Sequence, residues 1–359
     1  MVTCDLFVIG GGPAGLAAAI AARLRGLDVR LADPRVPPVD KACGEGIMPD
    51  GMAVLRDMGV EIPEASGFPL RGIRFVQEGA QAQARFRHGA AGLGVRRTVL
   101  HEALRRRAEE LGVELSWGTR VSGLHPGGVI VEGAEVRAAW VAAADGLESP
   151  TRRALGLDAA PRRRRVGLRR HVEMAPWSDL VEVHWSDGCE IYVTPVSPRE
   201  VCLAALTDDA RSGLDGALAC FPALRARLKD ASATTRDLGS ATAVRRARRV
   251  IAGRVALVGD AAGSVDAITG EGVTLALHQA VALARALHAG SLERYASDHR
   301  RIVRVAERMG GLMLAIHDRP RLRRWTIAAL SRVPPLFSQL VAIHTRSHSL
   351  SGMAPASSP

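Results

Sequence analysis

The sequence predicts an α/β protein in which a parallel sheet flanked by helices alternates along the chain with an antiparallel sheet, and helices follow both. Three observations lead to this prediction. A strand, a glycine-rich turn, a helix and a second strand follow one another over residues 5–33. Strand-like runs separated by turn residues fill residues 165–206. Apolar residues recur with helical spacing over residues 300–344, between arginine-rich stretches and prolines.

The first element is the glycine turn GGGPAG, which lies between a strand and an alanine-rich helix. Gly10 allows the tight turn, Gly12 lets a pyrophosphate approach the backbone, and Gly15 lets helix and strand pack closely. The helix N-terminus then offers unpaired N–H groups to the phosphates. Asp33 ends the second strand, 23 residues after Gly10, and can accept hydrogen bonds from a ribose. This motif predicts a bound dinucleotide, and by itself it fits NAD(P) and FAD equally.

A second glycine-rich motif, GDAAGSVDAITGEG at residues 259–272, follows the strand-like run RVALV. The carboxylate of Asp260 can accept a hydrogen bond from a ribityl hydroxyl, and Gly263 leaves room for a flavin ring. A helix that begins near Gly272 directs its positive end toward the flavin, where the reduced form carries negative charge. Together with the first motif, this segment favours FAD over NAD(P) as the bound dinucleotide.

The composition argues against several other classes of protein. The net charge is +11, but only two residues are lysines, no nucleic-acid-binding module is present and aromatic residues make up 4% of the chain. We therefore expect no nucleic-acid partner. The five cysteines are scattered and the histidines lack metal-ligand spacing, which predicts no metal site and a reducing, cytoplasmic setting. No apolar run is long enough to span a membrane, and the N-terminus does not resemble a signal peptide.

Three segments resemble the FAD motifs of the para-hydroxybenzoate hydroxylase and geranylgeranyl reductase superfamily: GGGPAG (10–15), ADGLESPTRR (144–153) and GDAAGSVDAITGEG (259–272). That superfamily contains aromatic hydroxylases, flavin halogenases and geranylgeranyl reductases. The resemblance extends to about residue 290. It implies bound FAD, NAD(P)H as reductant, and a Rossmann-like FAD-binding domain of the glutathione-reductase type. An interleaved antiparallel sheet would bind the substrate, beneath a C-terminal helical cap.

The resemblance also implies roles for individual residues. Asp145 belongs to the D-G motif, with Ser149 and Arg152 following, and would support both FAD and NAD(P)H. Arg97 matches an arginine that approaches the FAD, and KACGEGIMP (41–49) resembles the C-G-x-G loop beside the flavin in the reductases. The predicted cofactor-binding residues are Gly10, Gly12, Pro13, Ala14, Gly15, Asp33, Cys43, Gly44, Arg97, Asp145, Gly146, Gly259, Asp260, Gly270 and Gly272.

The same reasoning divides the chain into domains. The predicted division is a discontinuous FAD-binding domain (1–68, 92–160 and 240–290), a substrate-binding sheet domain (69–91 and 161–239), a helical cap (291–345) and a disordered tail (346–359). The cap would pack on the FAD domain. In an alternative interpretation, the cap also covers a channel for a hydrophobic substrate or lies on a membrane surface, where its arginines meet anionic headgroups. In the membrane reading, the protein is cytoplasmic with peripheral membrane contact.

The motifs leave the reaction open between two branches of the superfamily. None of the tryptophans lies in the W-x-W-x-I-P segment of halogenases. Gly263 stands where many aromatic hydroxylases have histidine, whereas YVTPVSP (192–198) lacks the tryptophan of the reductase strand Y-x-W-x-F-P. We favour an NAD(P)H-dependent monooxygenase acting on a hydrophobic phenolic or polyketide-type lipid in secondary metabolism. The alternatives are a reductase of double bonds in an isoprenoid lipid or quinone side chain, and a non-catalytic flavin-binding protein.

The polar side chains on the predicted substrate sheet are candidates for contact with the substrate. Strand alternation places Glu190 and Tyr192 on one face of that sheet. The candidates on the sheet are Arg169, His171, His184, Glu190 and Tyr192. Cys43, beside the flavin, is either a further chemical group or a small packing residue.

Overall fold

The computed structural model describes residues 4–209 and 213–346, which form strands β1–β20 and helices α1–α10. The strands are β1 (Cys4–Ile9), β2 (Val29–Asp33), β3 (Gly46–Ile47), β4 (Gly67–Leu70), β5 (Gly72–Gln77), β6 (Ala80–Arg85), β7 (Gly92–Val95), β8 (Glu114–Trp117), β9 (Val121–His125), β10 (Gly128–Val131), β11 (Ala134–Ala143), β12 (Arg163–Glu173), β13 (Leu180–Ser186), β14 (Cys189–Ser197), β15 (Glu200–Thr207), β16 (Ser232–Ala233), β17 (Leu238–Arg246), β18 (Ile251–Ala252), β19 (Val255–Leu257) and β20 (Gly263–Ser264). The helices are α1 (Pro13–Arg23), α2 (Pro49–Asp57), α3 (Arg97–Glu110), α4 (Pro150–Ala154), α5 (Gly213–Ala219), α6 (Pro222–Arg227), α7 (Gly272–His288), α8 (Leu292–His317), α9 (Pro320–Arg332) and α10 (Pro334–Arg346).

One sheet is parallel at its centre and has the order β19-β11-β1-β2-β8, as the first sequence motif predicts. Helix α1 begins with Pro13, whose fixed φ suits the first helical turn, and continues through alanines that favour helix. Its buried small residues allow it to pack closely on α7, one of whose faces also covers the core of this sheet. The α/β fold and its Rossmann-type layer are therefore confirmed.

A second, larger sheet is mainly antiparallel and has the order β20-β17-β12-β15-β14-β13-β5-β6. Its central hairpin, β13 with β14, turns at Asp187 and Gly188, where the sequence predicts a turn at 186–188. Residues 240–244, which the sequence placed with the FAD-binding domain, instead pair along β12 as part of β17. The prediction missed this pairing because alternation shows that a strand exists but does not show which sheet it joins.

A small third sheet, β3-β7-β4, connects the two larger ones. Strand β4 (Gly67–Leu70) crosses the predicted boundary between residues 68 and 69, so the chain passes from one sheet to the other through this small sheet. Such short strands carry too few residues to show a periodicity in the sequence.

The two faces of the antiparallel sheet are covered by different elements. On one face, Tyr192 and Cys202 share an apolar cluster with Ile327 of α9 and Phe337 of α10. We call this the cap-side face. The opposite face packs on α5 and α6. Period-two alternation separates them, since the neighbouring Ile191 belongs to the second cluster.

The predicted cap is helical, and its packing is divided between the two sheets. Helix α8 lies on α7, as expected of a cap on the FAD-binding part, whereas α9 and α10 lie on β6 of the antiparallel sheet. No described helix is by itself long and apolar enough to cross a membrane; α9 and Pro334–Ile343 reach that level only together, and they meet at 106°. Residues 347–359 of the predicted tail lie outside the described residues.

Candidate functional site

The sequence motifs meet at one edge of the parallel sheet. Strands β19, β11, β1 and β2 are adjacent and parallel, so their carboxyl ends lie side by side. Gly259 follows β19, Asp145 follows β11, Gly10 follows β1, and Asp33 ends β2. Ligands of open α/β sheets bind outside the carboxyl ends of the strands, so this edge is the candidate site.

The glycine turn after β1 has the geometry that each glycine was predicted to provide. Gly10 has a φ of +104°, and a Cβ there would lie 2.5 Å from the carbonyl oxygen of Ala144. A Cβ on Gly15 would lie 1.8 Å from the carbonyl oxygen of Gly10, so only glycine permits this contact between helix and turn. A Cβ on Gly12 meets no atom within 4 Å. The turn is therefore closed around Gly10 and Gly15 but open at Gly12, above the N-terminus of α1, where an anion is favoured.

Asp33 is buried at the end of β2 and is held by its neighbours. Its carboxylate accepts hydrogen bonds from the backbone N–H of Gly11 at 2.7 Å and from the backbone and guanidinium of Arg35. Burial alone would raise the pKa of Asp33, but the hydrogen bonds from Arg35 and Gly11 outweigh it and leave that pKa below its usual value. These donors occupy the four lone-pair directions of the carboxylate. A ribose can reach Asp33 only when the exposed guanidinium of Arg35 moves aside.

The D-G and G-D motifs are joined by the fully buried side chain of Arg152. Its guanidinium donates to Asp158 at 2.7 Å, to the carbonyl oxygen of Ala261 at 2.9 Å and to that of Leu147 at 2.6 Å. Arg152 thus fixes the position of the loop that carries Asp260. The resemblance had assigned Arg152 to the motif, and the structure gives it this bridging role.

The C-G-x-G loop reaches the same edge. Its Lys41 pairs with Asp260 at 3.3 Å, and both side chains are partly exposed. On the D-G side, Asp145 accepts from the backbone N–H of Thr151 with one oxygen. Asp260, the group expected to accept from a ribityl hydroxyl, therefore has a cation partner that the sequence did not predict.

The predicted set fits an extended FAD on two structural grounds. Nη1 of Arg97 and Oδ1 of Asp145 are buried polar atoms without a hydrogen-bond partner among the described residues, and such atoms are costly unless a ligand pairs with them. A Cβ would also meet nothing within 4 Å at several predicted cofactor-binding glycines. These glycines are Gly12, Gly44, Gly146, Gly270 and Gly272. The residues at the strand ends are suited to the pyrophosphate and adenosine, and the loop with Gly44 and the start of α7 to the flavin.

A buried polar cluster lies where the C-G-x-G loop meets the cap-side face of the antiparallel sheet. Nε2 of His171 lies 2.5 Å from Oε2 of Glu45, and its Nδ1 lies 2.9 Å from Nη1 of Arg169. The other carboxylate oxygen of Glu45 accepts from the backbone N–H of Arg97 at 2.9 Å. Glu45 has a φ of +56°, a backbone conformation that is rare outside glycine and is concentrated at functional sites.

Cys202 brings a thiol to the same cluster, and its sulfur donates toward the carbonyl oxygen of Cys43 at 3.7 Å. The ligand atoms of Glu45, His171 and Cys202 all lie within 4.8 Å of one another, so a metal-ligating set exists that the spacing of histidines could not indicate. Burial, with the charge of Glu45, raises the pKa of the Cys202 thiol and keeps it neutral. Since Arg169 already supplies a cation 3.7 Å from Glu45, we interpret the cluster as a proton-carrying pair rather than a metal site.

A second buried cluster joins the antiparallel sheet, the cap and the second glycine-rich motif (259–272), which we call the flavin motif. Glu190 pairs with the guanidinium of Arg165, which also lies 3.3 Å from Asp266 of the second motif. His317, the last residue of α8, lies 3.4 Å from Glu190. Burial raises the pKa of Glu190 to about 7, against the opposing effect of Arg165. Burial and the charge of Arg165 lower the pKa of His317 to about 4, so His317 is neutral at neutral pH.

The pH dependence of stability should report on Glu190. Because its pKa is higher in the folded than in the unfolded chain, Glu190 takes up a proton on folding, and its contribution to the free energy of unfolding falls as pH rises from about 4.5 to about 7. The expected loss is about 3 kcal/mol. Urea unfolding near pH 5 and near pH 8 should show that E190Q lacks this part of the slope. The exposed Glu64 is the control, and an E190Q slope equal to that of E64Q would contradict the prediction.

The structure separates the candidates from the substrate sheet into two groups. His171, Glu190 and Tyr192 lie on the cap-side face, and the hydroxyl of Tyr192 donates to the carbonyl oxygen of Ile268 in the flavin motif. His184 lies on the opposite face, 3.1 Å from Glu182 and against Phe221. It is therefore not part of the site.

Several residues of the site were missed by the sequence reasoning. Glu45 lies inside the quoted KACGEGIMP loop, and an acid between two loop glycines was the one available signal. The others become partners only through long-range packing. They are Lys41, Arg165, Asp266 and His317.

Comparisons with known proteins agree with this geometry. A family model described as an FAD binding domain matches residues 3–300. A menaquinone reductase of Mycobacterium tuberculosis is 28% identical over 81% of this chain and 78% of its own. A putative 2-heptyl-3-hydroxy-4(1H)-quinolone synthase of Rhodococcus erythropolis is 31% identical over 78% of each chain. A crystal structure of a flavoprotein/dehydrogenase from Cytophaga hutchinsonii has a TM-score of 0.82 and 19% identity, covering 96% of this chain and 93% of its own. That structural likeness speaks for the fold alone.

Proposed function

Because this chain belongs to the FAD binding domain family and is an FAD-dependent oxidoreductase, we propose that it is an NAD(P)H-dependent monooxygenase of a hydrophobic ring compound. The expected substrate is a phenolic, quinolone or polyketide-type ring that carries an apolar chain. The similarity to a quinolone synthase supports this class, since the product in its name is a ring with a heptyl chain.

One observation carries the proposal: apolar helices cover the cap-side face of the antiparallel sheet, beside the C-G-x-G loop (41–49). Ile327 of α9 and Phe337 of α10 pack in one buried cluster with Tyr192 and Cys202 of the sheet. The buried pair of Glu45 and His171 lies on this same face. Oxygen chemistry on a flavin requires exclusion of water, and an apolar cover above a few polar groups is suited to it.

Bound FAD supplies the redox chemistry: two electrons from NAD(P)H pass to molecular oxygen, one oxygen atom enters the product, and the other leaves as water. The residues of this chain would accept and position the protons of the reaction. Nδ1 of His171 accepts from Arg169, so Nε2 carries the hydrogen and donates it to Glu45. The carboxylate of this pair can take a proton from a ring hydroxyl or ring N–H. Arg169 fixes the imidazole from its other nitrogen. The N-terminus of α7 directs its positive end at the flavin motif and favours negative charge there.

A second candidate function is reduction of a double bond in an isoprenoid or quinone side chain. It is supported by the position of Glu45 within the C-G-x-G loop, next to Cys43, and by the similarity to a menaquinone reductase. In that reaction the pair of Glu45 and His171 would deliver a proton to one carbon of the double bond, and the other carbon would receive the hydride. The same residues therefore serve both candidates, and oxygen distinguishes them.

The deciding experiment uses the FAD-loaded protein with NAD(P)H and three probes: a 2-alkyl-4-quinolone, an alkyl phenol and menaquinone. We expect a quinolone or phenol product heavier by one oxygen atom, with the label of isotopic oxygen gas and with no product under anaerobic conditions. A product heavier by two hydrogens, formed equally without oxygen, would establish the reductase instead.

H171Q tests the proton-carrying role. It should lower kcat by about a hundredfold or more while the flavin absorbance and FAD content stay unchanged. H184Q is the matched control, because His184 makes a similar pair with Glu182 on the opposite face of the same sheet. Equal activity of the two variants would remove His171 from the mechanism.

A further inference from the structure

The helices of the cap expose large apolar side chains on the side that faces away from the sheet. We call the set the exposed cap stripe: Leu322, Trp325, Val333, Leu336 and Ile343. Trp325 is 78% exposed and Leu322 is 44% exposed. An exposed tryptophan near other exposed aliphatic residues costs solubility, and exposed apolar surface of this kind marks interaction sites.

The same two helices are apolar on their inner side as well. Ile327, Leu330, Phe337 and Val341 are buried against the antiparallel sheet. Taken together, α9 and Pro334–Ile343 are as apolar as a membrane-crossing segment, with a bend of 106° between them. The inner side is accounted for by the sheet, whereas no described residue covers the outer side.

The charge of this region is of one sign. Residues 319–346 contain six arginines and no aspartate or glutamate. Two of the arginines already pair with carboxylates of this chain. Arg323 is buried and pairs with Asp187, and the exposed Arg324 lies 3.4 Å from the exposed Glu78. Arg321 and Arg332 are exposed at the two ends of α9, beside the apolar stripe.

We propose that the exposed cap stripe binds the surface of a membrane that contains anionic lipids. Its aliphatic residues would enter the boundary between headgroups and acyl chains, Trp325 would lie at the headgroup level, and Arg321 and Arg332 would meet the lipid phosphates. Because residues 319–346 contain no aspartate or glutamate, no carboxylate of this segment repels the lipid phosphates.

This placement gives the cap a second role in the delivery of substrate, which rests on the proposed function. The inner side of helices α9 and α10 packs on the cap-side face of the sheet, and their outer side would contact the bilayer. A hydrophobic substrate dissolved in the membrane would then reach the flavin loop by passing these helices without entering water.

The test uses the full-length, FAD-loaded protein and no substrate. Sedimentation with vesicles of phosphatidylcholine, with and without phosphatidylglycerol, should show binding that requires the anionic lipid and weakens with salt. Lipids brominated in the acyl chain should quench the tryptophan fluorescence, and W325F should lose most of that quenching. W325S should bind the anionic vesicles at least about tenfold more weakly, which corresponds to about 1.4 kcal/mol.

Leu322 and Leu24 make a matched pair of exposed leucines, since Leu24, 39% exposed, lies at the C-terminal end of α1, far along the helix from the cofactor turn. L322S should weaken vesicle binding and L24S should not. The proposal would be overturned if W325S bound the vesicles as well as the unaltered protein. It would also be overturned if the lipids caused no quenching and light scattering showed dimers. Since neither measurement involves turnover, a wrong reaction assignment leaves this result unchanged.

Discussion

G12A should abolish FAD binding while leaving the fold intact. Gly12 has an ordinary φ of −71°, and a Cβ there meets no protein atom within 4 Å, so alanine is accommodated in the free chain. The same methyl group would occupy the space above the N-terminus of α1 that the pyrophosphate must approach. We expect purified G12A to be colourless, with the circular dichroism and urea midpoint of the FAD-free parent protein.

G15A is the informative counterpart, because its added methyl group would lie 1.8 Å from the carbonyl oxygen of Gly10. That contact is with backbone and cannot be relieved by a side-chain rotation, so G15A should lose folded protein as well as cofactor. The measurement is FAD stoichiometry and far-ultraviolet circular dichroism for both variants. A yellow G12A protein with full FAD content would show that the phosphates do not bind at this turn.

R152Q should destabilise the protein by about 3 kcal/mol or more. Arg152 is fully buried, and its removal leaves the carbonyl oxygens of Leu147 and Ala261 without their donor. Each buried group left unpaired costs about 1–3 kcal/mol. Because Arg152 also holds the loop with Asp260, FAD affinity should fall together with stability.

The neighbouring Arg153 provides the control. Its side chain is 49% exposed and pairs with Glu148 at 3.4 Å on the surface, where such a pair contributes about 1 kcal/mol or less. Urea unfolding of the FAD-free proteins, followed by titration with FAD, should place R153Q near the parent and R152Q far below it. Similar midpoints for the two variants would remove the bridging role of Arg152.

The site could be predicted from sequence where its geometry is local. The turn at Gly10, Gly12 and Gly15 needs only the backbone freedom of glycine, with a strand before it and a helix after it. The strand, the turn and the helix are adjacent segments of the sequence. The same holds for the start of α7 and for the hairpin turn at Asp187 and Gly188. These features depend on short-range conformational preferences, which are set by neighbouring residues and can therefore be predicted from a single sequence.

The polar clusters could not be predicted in the same way. Glu45 and His171 are separated by 126 positions, and nothing near either residue indicates the other. Their contact follows from the packing of a loop of one sheet on a face of another. The pairing of residues 240–244 with β12 was missed for the same reason, since the choice of a partner strand is a long-range property.

The sequence by itself therefore determined the nucleotide-binding layer, the order of the cofactor motifs and the helical nature of the cap, because periodicity and glycine placement act over a few residues. Tertiary structure alone decided the rest. It brought Glu45 to His171 and Arg165 to Glu190 and Asp266, since these contacts depend on how two sheets pack. It also decided which side of α9 and α10 is buried, because both sides are apolar and only the position of the sheet distinguishes them.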